Sequence, residues 1–170
     1  MQRFPSRGRP DWTADGKFLA FLACGKFGGG PCTISIRNTE TSDVRDLRPA
    51  LHCIGSLRWS PDGRSFLANA TDLKGRSGVY LVDAATGSTK FVTDVGQLLS
   101  GWSADGRKAF LATRAGKVVE WDLATGASRH VLSAPANSWS VTVSPQWPSR
   151  CLYRQRARSY GSSHRRRRSA

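Results

Sequence analysis

A tryptophan, a tight polar turn and a short apolar run recur three times in the first 145 residues. Such a repeat restricts the chain to architectures built by stacking copies of one unit. The copies read Trp12-Thr-Ala-Asp15-Gly16-Lys17, Trp59-Ser-Pro61-Asp62-Gly63-Arg64 and Trp102-Ser-Ala-Asp105-Gly106-Arg107. Their tryptophans are 47 and 43 residues apart. Each turn leads into an apolar run: Phe18 to Ala23, Ser65 to Ala70 and Lys108 to Thr113. A second landmark follows, Val79-Tyr-Leu-Val-Asp83-Ala-Ala-Thr-Gly87 in the middle copy and Val118-Val-Glu-Trp-Asp122-Leu-Ala-Thr-Gly126 in the third. The first copy has a looser version, Ile34-Ser-Ile-Arg-Asn38-Thr.

The chemistry of these pieces is that of strand and turn. Ser60-Pro61-Asp62-Gly63 suits a type I turn, with Pro holding φ near −65° and Asp bonding to nearby backbone. The flanking runs are short, rich in β-branched and aromatic residues, and partly alternating. For the middle copy this predicts strands at 56–59, 64–70, 78–83 and 88–93. Four strands per repeat predict an all-β fold, a partial β-propeller of about three four-stranded antiparallel blades plus the start of a fourth. A β-sandwich does not predict copies of one motif at near-constant spacing. The expected organisation is an N-terminal segment at 1–10, blades at 11–47, 48–93 and 94–132, the start of a fourth at 133–145, and a basic tail at 146–170. Asp15, Gly16, Pro61, Asp62, Gly63, Asp105 and Gly106 are expected in the first turns, and Asp83, Gly87, Asp122 and Gly126 in the second. Trp12, Trp59 and Trp102 are expected to pack between blades.

Trp59-Ser-Pro-Asp-Gly-Arg together with Tyr80-Leu-Val-Asp-Ala-Ala-Thr-Gly resembles the bacterial WD-repeat-like propellers of the TolB type. Trp121-Asp122-Leu-Ala-Thr-Gly is closer to the WD repeat proper, as is Ser138-Trp-Ser-Val-Thr-Val-Ser-Pro145. The resemblance covers residues 11–145 and implies a propeller. Members of such families serve as binding platforms, sensor-like modules on kinases, or gating domains of prolyl-oligopeptidase-type peptidases, so the fold alone does not choose among functions.

Charge adds less than its total suggests. The formal net charge is +14, yet residues 1–145 hold 18 Lys and Arg against 12 acids, and residues 146–170 hold the other 8, all Arg. After Ser144-Pro145 the repeat calls for Asp-Gly-Arg, and the chain has Gln146-Trp147-Pro148 instead. Read one base later, codons for Gln-Trp-Pro give Asn or Ser followed by Gly, which restores the turn. Arg165 to Arg168, shifted likewise, can encode a Val-Asp-Val-Ala string where the second landmark belongs. Residues 146–170 are therefore read as a fourth blade out of frame. The other reading is a genuine basic arm that contacts nucleic acid.

Other candidate sites are sparse. Cys24, Cys32, Cys53 and Cys151 include no Cys-x-x-Cys pair, and no metal is expected. Cys24 and Cys32 flank a Gly-rich loop across which a disulfide can form in an oxidising compartment, or both are small buried thiols. His52, His130 and His164 are scattered, and Gly28-Gly-Gly30 lacks the Lys and helix of a phosphate loop. Lys74-Gly-Arg76 reads as a solvated loop tip. No Gly-x-Ser-x-Gly, His-Glu-x-x-His or paired-carboxylate motif occurs, so no catalytic residue and no cofactor are expected. The apolar runs are far shorter than the roughly 18 residues of a membrane-spanning helix. Met1 to Pro10 lacks an apolar h-region, which points to the cytoplasm by default, or to the periplasm or exterior if the true start lies upstream.

Three functions follow as expectations. The first is a non-catalytic scaffold binding a protein or peptide, as a truncated or frameshifted fragment. The second is the propeller of a larger peptidase or kinase. The third is a nucleic-acid binder acting through the tail. An open arc of blades exposes apolar sheet faces, so the chain alone is expected to be poorly soluble or oligomeric.

Overall fold

The computed structural model describes residues 9–23, 32–94, 98–113, 115–133, 138–143 and 151–155. The first sheet comprises β1 (Asp11–Trp12), β2 (Phe18–Ala23), β3 (Thr33–Asn38) and β4 (Val44–Leu47), in that order. The second comprises β5 (Leu51–Trp59), β6 (Ser65–Asp72), β7 (Ser77–Asp83) and β8 (Thr89–Thr93), again in chain order. In the third, β9 (Leu98–Trp102), β10 (Lys108–Ala112), β11 (Lys117–Asp122) and β12 (Ser128–Ser133) are likewise consecutive neighbours. All pairings are antiparallel. A fourth, two-stranded sheet joins β13 (Ser138–Val143) to β14 (Cys151–Gln155), so a strand falls inside 146–170. The described residues contain no helix, hence none long and apolar enough to cross a membrane.

The register repeats with the sequence. Trp12 pairs with Leu19, Trp59 with Phe66, and Trp102 with Ala109. Because successive strand residues point to opposite faces, each sheet buries one set of side chains towards each neighbour. Ala20, Leu22, Ile34 and Ile36 of blade 1 meet Trp59, Phe66, Ala68, Tyr80 and Val82 of blade 2. The other face of blade 2, carrying Leu67 and Val79, meets Ala109 and Leu111 of blade 3. The core is thus a series of seams between blades. β5 starts at Leu51, five residues before its expected start at 56, and Leu51, Ile54 and Leu57 all join the first seam.

Both turns work through side-chain to backbone bonds. In blade 2 the Ser60 hydroxyl donates to Asp62 (2.6 Å) and accepts the Ser65 N–H (2.9 Å), while Asp62 also accepts the Arg64 N–H (3.1 Å). Thr13 with Asp15 and Ser103 with Asp105 repeat the pattern. In the second turn Asp83 accepts from the Ala85 and Thr86 N–H groups, and Asp122 from those of Ala124 and Thr125. The looser copy has the same geometry. Asn38 accepts from Glu40 and Thr41, and the Ser42 N–H returns to the Asn38 carbonyl at 3.0 Å.

At the closing position of that turn Gly87 and Gly126 have φ of 74° and 73°, and Ser42 has 65°. Only Ser42 carries a Cβ there, a conformation that costs about 1–2 kcal/mol in a residue other than glycine. Ser42→Gly is therefore expected to stabilise the protein by about 1 kcal/mol, read as a rise in the urea midpoint.

Candidate functional site: the groove between blades 2 and 3

Adjacent blades are pinned at their innermost strands. The Asp11 carboxylate accepts the Trp59 N–H at 2.7 Å, and the Trp102 indole N–H donates to the Arg58 carbonyl at 3.1 Å. Burial raises the Asp11 pKa above the usual carboxylate range, and the Trp59 N–H and Arg58 oppose that rise. Trp59 is buried on Phe66, with ring centroids 3.9 Å apart, and its indole N–H has no partner among the described residues. Trp102 is half-buried in the second seam. Trp12 departs from the expected inter-blade packing: it is 54% exposed, because no described residue forms a blade before blade 1.

Further out the two seams differ. Between blades 1 and 2 the Arg45 guanidinium crosses to the Ala84 carbonyl at 2.7 Å. Lys90 holds the matching position in blade 2, pairing with Leu81 as Arg45 pairs with Ile36. Among the described residues Lys90 makes no such bridge. A groove of about 800 Å3 opens in this seam, lined by Pro61, Asp62, Leu81, Trp102, Asp105 and Leu123 among others. A smaller cavity of about 240 Å3, which shares Leu81 and Leu123 with the groove, is lined by Lys90, Phe91 and Trp121.

The groove combines the apolar Leu81, Trp102 and Leu123 with three carboxylates and one cation, Arg107. Asp62, Asp105 and Asp122 reach it from turns, so the expected turn residues and the lining coincide in part. Their carboxylates are held below the usual range, Asp62 chiefly by the Ser60 hydroxyl, Asp105 by that of Ser103, and Asp122 by the Thr125 N–H. Asp15 and Asp83 are lowered in the same way, by the Thr13 hydroxyl and the Thr86 N–H. A carboxyl whose pKa falls on folding adds stability above its unfolded pKa and loses it as pH falls through the folded value. Asp72 and Glu120 share this sign, and among the described carboxyls with a shift only Asp11 opposes it. The melting temperature is therefore expected to hold at neutral pH and to drop on acidification below about pH 4, as followed by circular dichroism.

The remaining candidates occupy separate places. Cys32 is buried and disulfide-bonded. Cys24 lies outside the described residues, as does His164. Cys53 is a free, exposed thiol, and the His130 ring shares a hydrogen bond with the Ser133 hydroxyl at 3.2 Å. Arg76 is not merely solvated, as the loop reading expected. Its guanidinium lies 3.2 Å from the Phe91 ring centroid, because Asp72 caps the loop and folds it back. Among the described residues no group of three or more His, Cys, Asp or Glu is placed to hold a metal.

Stacked four-stranded antiparallel sheets with shared seams make this chain a β-propeller domain, present as a partial ring. Its fold is TolB-like. It is similar to TolB from Acinetobacter baumannii, with a TM-score of 0.63 and 26% identity over 85% of this chain and 36% of that one. It is also similar to the β-propeller domain of the trilobed protease from Pyrococcus furiosus (0.56, 19%, covering 78% and 44%). A third similar structure is Kuenenia stuttgartiensis hydrazine synthase (0.59, 17%, covering 85% and 40%). The chain spans 36% to 44% of the length of these structures. Neither a family model nor a curated protein matches the sequence.

Proposed function

We propose that this propeller arc is a non-catalytic scaffold that binds a short peptide segment of a partner protein. The observation that carries the reading is the groove between blades 2 and 3, apolar at Leu81, Trp102 and Leu123 and bordered by Asp62, Asp105 and Asp122, three carboxylates against the single cation Arg107. Clefts of this size with an apolar floor and a few convergent polar groups suit an extended peptide. The rim favours one that carries a basic residue beside an apolar anchor. Each rim carboxylate is already tied into its own turn, which suits a fixed recognition surface better than acid–base chemistry.

A random peptide library selected on the chain tests this. The expected result is enrichment of basic-apolar sequences whose affinity falls at least about tenfold in Leu81→Glu. No enrichment, or enrichment indifferent to Leu81→Glu, defeats the proposal. A second reading, docking beside a catalytic domain, draws on the likeness to a protease's propeller, which at 19% identity supports the fold alone.

A further inference from the structure

The fourth strand of each full blade carries a cation at one register position: Arg45 opposite Ile36, Lys90 opposite Leu81 and Arg129 opposite Glu120. Two of the three are committed. Arg45 crosses to the Ala84 carbonyl of blade 2 at 2.7 Å. Arg129 holds both oxygens of Glu120, at 3.1 and 3.0 Å. Lys90 has neither kind of partner among the described residues. It lines the smaller cavity instead, with Leu81, Phe91, Val92, Trp121 and Leu123.

Charge is segregated between the two spaces. The groove holds Asp62, Asp105 and Asp122, and its one cation, Arg107, belongs to the same turn as Asp105. No acid lines the smaller cavity, so Lys90 is its sole charge. Leu81 and Leu123 line both, so the two spaces adjoin. An ammonium without a counterion, set beside the Phe91 and Trp121 rings, suits an anion with an apolar body. At about 240 Å3 the cavity falls below the roughly 300–1,000 Å3 of pockets for drug-sized ligands and suits a single residue.

A chain running on through the cavity would bring further peptide N–H and C=O groups, which need partners once out of water. The N–H groups of the adjoining turn are already spent. Those of Ala124 and Thr125 donate to the Asp122 carboxylate, and that of Gly126 to the Asp122 carbonyl. A chain that stops there brings one terminal carboxylate, which Lys90 can meet, and one side chain.

We propose that Lys90 captures the free C-terminal carboxylate of the partner peptide, whose last, apolar side chain fills the cavity lined by Phe91 and Trp121. Capture of a chain end is a recurring mode of peptide recognition. The inference rests on the peptide groove and adds a direction to it. Upstream residues pass Leu81 and Leu123 into the groove, where a basic residue meets Asp62, Asp105 and Asp122.

A synthetic random peptide library made in two forms, with a free C-terminus and with a C-terminal amide, and selected on the full chain tests this. The free form is expected to enrich sequences that end in Leu, Ile, Val or Phe and carry Lys or Arg upstream. Amidating a selected peptide, or extending it by a Gly-Ser pair, is expected to weaken binding at least about tenfold by fluorescence anisotropy. Lys90→Gln is expected to weaken the free peptide by a similar factor and to leave the amidated one unchanged. The amide and the extension act on the unsubstituted chain, so they decide the matter even if Lys90→Gln unfolds. Peptides that need Leu81 but are indifferent to amidation and extension overturn the proposal and leave the groove reading standing. A free-to-amide ratio unchanged by Lys90→Gln does the same. No enrichment in either form overturns both.

Discussion

Phe66→Ala is expected to lower the stability of the chain by about 3–5 kcal/mol, the range for truncating a large buried aromatic. Phe66 is fully buried, stacks on Trp59 at 3.9 Å, and lies in the seam between blades 1 and 2 with Leu22 and Ile36. Alanine would remove the ring that fills the space between two sheets held together by the Asp11–Trp59 bond. Urea denaturation at one fixed protein concentration reads the effect, since any assembly makes the midpoint depend on concentration. Leu73→Ala is the control. Leu73 is equally apolar but 68% exposed, and its truncation is expected to stay within about 0.5 kcal/mol. Equal effects from the two would show that the seams are not the core.

The seams were legible in the sequence because three local signals agreed: alternation in the strands, turn chemistry at each end, and one tryptophan per copy. Four-stranded blades follow from those signals without long-range information. Other features needed the register. Thr13, Ser60 and Ser103 organise the first turns with their hydroxyls, a role visible only as a small polar residue recurring after each tryptophan. The difference between the two seams, where Arg45 crosses to the Ala84 carbonyl and Lys90 makes no such bridge among the described residues, lies at positions matched only once strand pairing is known. The Ser35–Asp46 hydrogen bond is hidden for the same reason: the two residues are eleven apart and meet only across β3 and β4. Trp12 carries the same motif as Trp59 and is exposed, since among the described residues no blade lies before blade 1.

Gly78→Ala tests a contact that no local signal announces, and its expected cost is about 2–3 kcal/mol, as for overpacking a tight interior. Gly78 is the second residue of β7 and is buried against β8. A Cβ there would stand 2.5 Å from the Thr93 carbonyl oxygen and 2.7 Å from the Phe91 ring. The carbonyl belongs to the backbone, so β8 itself must move. Moving β8 carries Phe91 away from Tyr80, on which it stands edge-on at 5.3 Å, and from the Arg76 guanidinium above it. Phe91 also packs against the first seam and lines the smaller cavity beside the groove. One added methyl group is therefore expected to loosen the outer edge of blade 2 and to weaken peptide binding in the groove. The two effects can be separated. Arg76→Ala removes the cation from the ring and leaves β8 in place, so it should lose stability without losing the groove. A Gly78→Ala protein as stable as the unsubstituted chain would place β8 farther from β7 than these distances allow.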